Sequence, residues 1–194
     1  MPVASIGGVL AFVRLEIRPS EVPGLLRRHS DKYPGANELE VCGANLIRAE
    51  FPPGEAAAFV RKVCEWGRGH RLVGRVLRDN AGQRIGDVLR EGYVHAQRGF
   101  VGDGVEAIRQ LRYLGQSFAS KQLRFLTPTH AVILDEVIRS ALGYAETAVG
   151  YTEFLEDCQA LLRLVRATNV EAELGMPLRI ADIEAAVFAK IQGY

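Results

Sequence analysis

Apolar residues recur every three or four positions along most of this chain, the spacing that gathers them on one face of an α-helix. The clearest stripes predict helices over Asp103–Tyr113, Glu136–Leu142, Tyr151–Val165 and Ile180–Ile191. Each of these segments also has a polar face, so we expect their apolar faces to pack together into a core. The periodicity therefore predicts a mainly α protein.

Patterns that suit β-strands are short and few. Val9–Ile17 and Leu39–Arg48 contain β-prone runs that fit a strand, a helix or a loop equally well. The run Ala131–Leu134 is also β-prone, but it directly precedes a predicted helix, so we expect an extended approach to that helix. At most a little β structure near the N-terminus is expected.

The overall charge is nearly balanced, but the basic residues are unevenly placed. The 194 residues include 24 Lys and Arg against 23 Asp and Glu, a net charge of +1, which is less basic than is typical of nucleic-acid-binding proteins. Segment 61–78 nevertheless contains Glu65 as its one acidic residue. Helical spacing places four of its arginines on one face: Arg68, Arg71, Arg75 and Arg78. This face suits contact with DNA phosphates and an ordinary solvated helix about equally.

Cysteine and histidine positions argue against a disulfide framework and against a metal site. Cys42, Cys64 and Cys158 are odd in number and far apart, and the four histidines are equally scattered. We expect reduced cysteines and neither a metal nor another cofactor.

Hydropathy argues against a membrane protein, because no apolar stretch is long enough to span a bilayer. The short apolar run near the N-terminus has no basic residue before it, unlike a signal peptide. We therefore expect a cytoplasmic protein.

A polar turn divides two helical patterns between residues 111 and 126. One helix is expected to end near Gly115, and the next to begin around Ser117 with Lys121 in its first turns. Such a helix-hairpin-helix can offer main-chain N–H groups and a helix N-terminus to a DNA phosphate without reading sequence. The predicted DNA contacts here are Gly115, Gln116, Ser117 and Ser120.

Two short segments near this turn resemble the helix-hairpin-helix DNA glycosylase superfamily. Residues 119–123 (ASKQL) are similar to its lysine segment, and residues 131–135 (AVILD) to its aspartate segment. Their order and separation agree with small bacterial proteins similar to 8-oxoguanine DNA glycosylase, and the looser resemblance runs from about Gly82 to the C-terminus. The resemblance implies a helical bundle of that superfamily.

The hairpin departs from the family pattern in two ways. Family hairpins usually have two glycines, whereas Gly115 is followed by Gln116-Ser-Phe-Ala in place of a second one. A histidine often found shortly after the family aspartate is also absent, with Val137 in that region. The phosphate contacts of the family therefore transfer less directly than its lysine and aspartate.

The resemblance implies that Lys121 is an amine nucleophile and that Asp135 assists it. Cleavage of an N-glycosidic bond builds positive charge on the sugar, which an amine can capture and a carboxylate can stabilise. Because the captured sugar becomes a Schiff base, an accompanying cut of the strand at the abasic site is also expected. The target nucleotide must first be flipped out of the duplex.

Two further residues are predicted to line a base pocket. Phe125 lies one turn after Lys121 and is expected to stack on the base, with core packing as the simpler interpretation. Asp182 begins the last predicted helix and is a candidate acceptor for the base edge by analogy with the family, with a helix cap as the alternative.

The resemblance also sets the expected organisation and partner. Residues 81–194 are predicted to form the glycosylase-like catalytic region, and residues 1–80 an N-terminal helical region of unassigned role, the two together forming one two-lobed unit. The expected partner is double-stranded DNA containing a modified base, bound by a monomer associated with the bacterial nucleoid. The base is 8-oxoguanine in a repair role, or a hypermodified phage cytosine in antiviral defence.

Two other functions fit the same residues. A lysine on a helix is usually solvated, and an aspartate before a helix is usually an N-cap, so a non-catalytic helix-hairpin-helix DNA-binding module is the first alternative. An unrelated helical interaction protein without affinity for DNA is the second.

Overall fold

Helices dominate the computed structural model, which describes residues 4–6, 9–12 and 15–194. The helices in these ranges are α1 (Val22–Lys32), α2 (Ala36–Arg48), α3 (Pro53–Trp66), α4 (His70–Asp79), α5 (Gly82–Gln97), α6 (Val101–Arg109), α7 (Gln116–Leu126), α8 (Glu136–Leu142), α9 (Ala148–Arg166), α10 (Val170–Leu174) and α11 (Ile180–Gln192). The predicted mainly α fold is confirmed. Within the same ranges, no helix is both long and apolar enough to cross a membrane.

The strands lie near the N-terminus, as expected. Strands β1 (Ala4–Ile6), β2 (Val9–Phe12) and β3 (Leu15–Ile17) form an antiparallel sheet in chain order. Two β-prone runs fitted a strand, a helix or a loop equally well. The first, Val9–Ile17, contains β2 and β3, and its residues 13–14 lie outside the described ranges. The other, Leu39–Arg48, lies inside α2.

The described residues divide into two compact units. One comprises Pro34–Asp135, and the other comprises the described residues up to Tyr33 together with Glu136–Tyr194. The predicted division after residue 80 instead falls inside the first unit, between α4 and α5. The reason is packing across that point: the Phe51 and Tyr93 rings lie 6.0 Å apart between centroids.

Close contacts between helix backbones build the Pro34–Asp135 unit. A Cβ on Gly104 of α6 would lie 2.6 Å from the carbonyl oxygen of Gly92 in α5. A Cβ on Gly43 of α2 would lie 2.2 Å from the carbonyl oxygen of Phe125 in α7. Since a real Cβ cannot approach so closely, only glycine permits these crossings. The first crossing holds α6 against α5, and the second holds α7 against α2.

The other unit joins the two ends of the chain. The predicted apolar stripe of α9 is buried throughout, and Ile180 and Val187 of α11 are buried as predicted. Helix α1 packs on α11, where the Tyr33 and Phe188 rings meet edge-on with centroids 5.5 Å apart. At the start of α1, Glu21 accepts a hydrogen bond from Lys190 at 2.6 Å.

The helix before the hairpin is shorter at its C-terminal end than the apolar pattern predicts. Helix α6 begins at Val101 and ends at Arg109, whereas the pattern predicts a helix over Asp103–Tyr113. A six-residue turn then leads to α7, and Tyr113 within it has φ of 72°. A residue in the left-handed region cannot continue a right-handed helix, which is why the apolar spacing through Leu111 is misleading.

Candidate active site

The predicted nucleophile and carboxylate meet in the Pro34–Asp135 unit. Lys121 lies in the middle of α7, and its Nζ is 3.2 Å from Oδ2 of Asp135. The same Nζ donates a hydrogen bond to Oγ of Ser117 at 3.0 Å. The Lys121 and Asp135 side chains are only 8% and 16% exposed. The two groups therefore form an ion pair that is largely shielded from water.

A serine on α7 holds the chain that carries the carboxylate. The segment from Ala131 to Leu134 is buried and has no regular secondary structure, and α8 begins directly after Asp135. The Leu134 amide donates a hydrogen bond to Oγ of Ser120 at 3.2 Å, and that hydroxyl donates to the Ser117 carbonyl at 3.1 Å. Asp135 is thereby positioned one residue beyond a fixed point on the lysine helix.

The turn between α3 and α4 lies against the lysine stem. A Cβ on Gly67 would come 3.0 Å from Cδ of Lys121, and one on Gly69 would come 2.6 Å from Cζ of Phe118. The Phe118 ring centroid is 5.4 Å from Nζ of Lys121, within the range of a cation–π contact. Two glycines and one aromatic ring thus form the wall of the amine site.

A buried thiol near this site is not a competing nucleophile. Burial raises the pKa of Cys64 to about 12, against the lowering effect of the Lys121 charge. The thiol accepts a hydrogen bond from Nε2 of Gln122 at 3.6 Å and stays protonated at neutral pH. Among the described residues there is also no group of three or more His, Cys, Asp or Glu side chains that could hold a metal.

The backbone angles of the hairpin turn show which of its residues has the conformation that favours glycine. Gly115 is the N-cap of α7 and has extended backbone, with φ of −71° and ψ of 173°. The left-handed position that favours glycine is occupied by Tyr113, two residues earlier. In this turn a non-glycine residue, Tyr113, therefore has the left-handed backbone conformation, whereas Gly115 does not.

The predicted DNA contacts of the hairpin differ in accessibility. Gly115 is exposed and Ser117 is half-buried, whereas Gln116 and Ser120 are fully buried. Gln116 can reach a phosphate only through its main chain. The burial of Ser120 and its two internal hydrogen bonds do not support a DNA contact, and its place in the structure is that of a link between α7 and Leu134.

The basic residues of segment 61–78 do not form one helical face. Arg68 lies in the turn before α4, with φ of 61°, so the predicted continuous face is wrong at that residue. Arg71 and Arg75 are exposed on α4. Arg78 is exposed too, but it is paired with Asp79 at 2.7 Å. The guanidinium of Arg75 lies 5.3 Å from the centroid of the Tyr113 ring, which brings this segment to the hairpin.

Neither predicted pocket residue has the environment expected of it. Phe125 is fully buried and meets Trp66 edge-on, with centroids 4.8 Å apart, which is the arrangement of a core side chain. Asp182 is in the other unit, where its Oδ2 accepts a hydrogen bond from the Arg179 amide at 2.7 Å and its Oδ1 pairs with the Arg179 side chain at 2.9 Å. Both match the simpler alternatives, core packing and helix capping.

Several contacts of the site are absent from the sequence-based prediction. The i, i+4 spacing of Ser117 and Lys121 on a helix was the available signal for their contact. Paired glycines around Arg68 were a second signal, since they mark a turn that approaches another part of the chain closely. Nothing local indicated Phe118 or the link from Ser120 to Leu134, because both depend on long-range packing.

Comparison with known proteins gives one result. Residues 23–188 match the model of a family described as "Putative 8-oxoguanine DNA glycosylase OGG-like protein". No curated protein and no solved structure matches the chain. The match begins far upstream of residue 81 and includes both Lys121 and Asp135, so it extends the resemblance over most of the chain. The chain therefore belongs to this OGG-like family of DNA glycosylases.

Proposed function

We propose that this glycosylase excises a modified base from double-stranded DNA, with Lys121 as the amine nucleophile and Asp135 as its assisting carboxylate. The observation that carries the proposal is the 3.2 Å contact between Nζ and Oδ2 in a site largely closed to water. A covered ion pair adds little net stability, because desolvation offsets much of its attraction. The contact of the same Nζ with Ser117 also places the amine near the start of the hairpin helix, where DNA is proposed to bind.

The chemistry follows from the two groups and their neighbours. As the bond from the sugar C1′ to the base nitrogen breaks, its electron pair leaves with the base. Nζ of Lys121, which is protonated in the ion pair, first loses a proton, and the lone pair that this frees forms the new bond to C1′. Asp135 is within reach to accept the proton that Nζ loses and to pass it to the departing base. The carboxylate also stabilises positive charge that develops on the sugar before capture is complete.

The covalent adduct explains a second proposed activity. Opening of the sugar ring converts the lysine–sugar bond to a Schiff base, which makes the proton at C2′ acidic. Loss of that proton expels the 3′ phosphate and cuts the strand. Addition of water to the Schiff base then releases the sugar fragment and restores Lys121. We include this lyase step in the proposal.

The hairpin supplies the proposed anchor on the duplex. The target atom is inaccessible in stacked DNA, so the nucleotide must be flipped out at a cost of about a few kcal/mol. The N-terminus of α7, whose N–H groups attract phosphate, is formed by Gly115, the main chain of Gln116 and Ser117 with its hydroxyl group. Arg71 and Arg75 on α4 add exposed positive charge. The proposed partner is thus modified DNA bound by a monomer.

Borohydride trapping tests the nucleophile directly, because it reduces a Schiff base to a permanent cross-link. Wild-type protein is incubated with duplexes that contain 8-oxoguanine, a bulky hypermodified cytosine or no modification. Lys121→Gln is compared with Lys62→Gln, which makes the same change at an exposed lysine on α3. We expect adducts from the wild type and Lys62→Gln and none from Lys121→Gln.

Each other outcome has a definite meaning. Adducts from Lys121→Gln at the wild-type level would move the nucleophile elsewhere. Wild-type protein that binds modified DNA without ever forming an adduct or releasing a base would be a non-catalytic hairpin module. Reaction with 8-oxoguanine alone indicates repair, and reaction with the hypermodified cytosine alone indicates defence against phage DNA.

A further inference from the structure

The hairpin turn presents a tyrosine in a backbone conformation that glycine adopts more easily. Tyr113 has φ of 72°, and its side chain is among the large exposed ones, with the residue 43% exposed. An aromatic residue in the left-handed region is strained, and such strain persists only where surrounding contacts hold it. The contacts of the Tyr113 ring therefore indicate which interactions hold this backbone conformation.

Two arginines lie over the Tyr113 ring. The guanidinium carbon of Arg75 is 5.3 Å from the ring centroid, and that of Arg112 is 6.0 Å from it. Neither guanidinium forms a salt bridge within the part of the chain that the structure describes, so both can still pair with an anion. The ring thus gathers two cations, one from α4 and one from the hairpin.

A nearby carboxylate does not cancel these charges. Asp79 forms a two-pronged contact with Arg78, at 2.7 and 3.1 Å. Its pKa is lowered by the hydrogen bond from Arg78 and, to a smaller extent, by one from Tyr113. Arg78 therefore makes the close contacts of Asp79, and Arg112 acts on this carboxylate only through its charge.

A buried asparagine fixes the geometry of this cluster. Asn80, at the end of α4, accepts a hydrogen bond from the Arg112 amide at 2.9 Å and donates to the Arg112 carbonyl at 3.2 Å. It also donates to the Val76 carbonyl at 2.8 Å. Helix α4 and the hairpin are thereby clamped together, so the two arginines are held at the same surface before any ligand arrives.

We propose that Arg75 and Arg112, held by the Tyr113 ring, form a second binding site for the phosphodiester backbone of duplex DNA. This site joins Arg75 of α4, which is already proposed to face the duplex, to Arg112 of the hairpin, and it rests on the proposed function of the protein. Guanidinium groups suit phosphates because their N–H groups can contact two oxygens at once. Tyr113 acts as a positioning residue: it orders both side chains in advance, which lowers the entropic cost of binding.

The test measures binding to an unmodified duplex by fluorescence anisotropy over a range of salt concentrations. Arg75→Gln and Arg112→Gln should each weaken binding several-fold and lower the slope of log affinity against log salt by about one. Arg98→Gln makes the same change at an exposed arginine after α5 and should leave both quantities unchanged. Unchanged affinity and slope in both of the first two variants would overturn the proposal.

Substitutions of Tyr113 separate its ring from its backbone conformation. Tyr113→Gly relieves the strain, so it should unfold at the same or a higher temperature and yet bind DNA more weakly. Tyr113→Phe keeps the ring and should bind like the wild type. Full affinity in Tyr113→Gly would show that the ring has no part in DNA binding.

Failure of the wider proposal is distinguishable from failure of this one. If the wild type does not bind duplex DNA at low salt, the proposed glycosylase mechanism fails together with the site. If the wild type binds DNA and forms the borohydride adduct while every variant of the cluster matches it, the second phosphate site alone is wrong.

Discussion

The hydroxyl of Ser120 and the amide of Leu134 are joined by a hydrogen bond of 3.2 Å that ties the lysine helix to the segment ending at Asp135. Because both groups are buried, neither can exchange this bond for one to water. The link therefore limits the distance between amine and carboxylate.

Removal of the Ser120 hydroxyl should loosen the site and lower stability. Ser120→Ala leaves the Leu134 amide without its acceptor, at an expected cost of about 1–3 kcal/mol in the free energy of unfolding. Excision should slow while DNA affinity is kept, as measured by urea denaturation, single-turnover kinetics and anisotropy. Ser140→Ala, at an exposed serine of α8, should change none of the three. An unaltered unfolding midpoint and excision rate in Ser120→Ala would remove this role of the hydroxyl.

Loss of the carboxylate charge should block chemistry with little effect on the fold. Asp135→Asn keeps the size of the side chain but can no longer accept the proton from Lys121, so excision should fall by about a hundredfold or more. Single-turnover base release is the measurement. Asp87→Asn, at an exposed carboxylate of α5, is the control and should react at the wild-type rate. Near-normal release by Asp135→Asn would exclude Asp135 as the proton acceptor.

A single methyl group on the turn beside the lysine should disturb the amine. Gly67→Ala places its Cβ 3.0 Å from Cδ of Lys121, at a negative φ of −74° that alanine tolerates. The lysine stem must therefore shift, and adduct formation should slow although the protein stays folded. Gly74→Ala on α4 meets nothing within 4 Å and should stabilise the helix by about 0.5–1 kcal/mol without slowing the reaction. Equal trapping rates in the two variants would argue against a closely fitted amine site.

Alkaline pH should destabilise the protein through a buried thiol. Burial raises the pKa of Cys64 from 9.0 to about 12, so the unfolded chain releases this proton at lower pH than the folded chain does. The stabilising contribution is fully present below pH 9 and declines as pH rises towards 12. Urea midpoints measured between pH 8 and about 10.5 should fall with pH, and the fall should be smaller in Cys64→Ala. The same pH dependence in both proteins would assign the effect to other groups.

Local pattern was sufficient wherever a helix has one buried face. The apolar stripe of α9 and the bounds of α8 follow from residue spacing, because a half-buried helix places apolar residues on its buried face every three or four positions. That Lys121 and Asp135 act together was implied by the resemblance of their two short segments to the glycosylase superfamily, and the structure places the two groups in contact.

Residue spacing fails inside α7, which is buried almost all round. From Ala119 to Leu126 every residue of this helix is buried, so shared faces no longer distinguish a pocket from the core. Phe125 and Ser120 were therefore assigned to the base pocket and to DNA, whereas both pack inside the protein. The end of α6 was misjudged for a related reason: Tyr113 adopts a conformation that its residue type does not favour.

The sequence by itself determined the helical fold, because that depends on periodicity. It also determined the family and the pair formed by Lys121 and Asp135, because short segments around these two residues resemble those of the superfamily. Only the tertiary structure decided that Gly67 lies against the lysine stem, that Ser120 holds Leu134, and that Arg75 reaches the hairpin at Tyr113. Each of these contacts joins elements far apart in sequence. Their geometry is set by how helices pack, which no local pattern encodes.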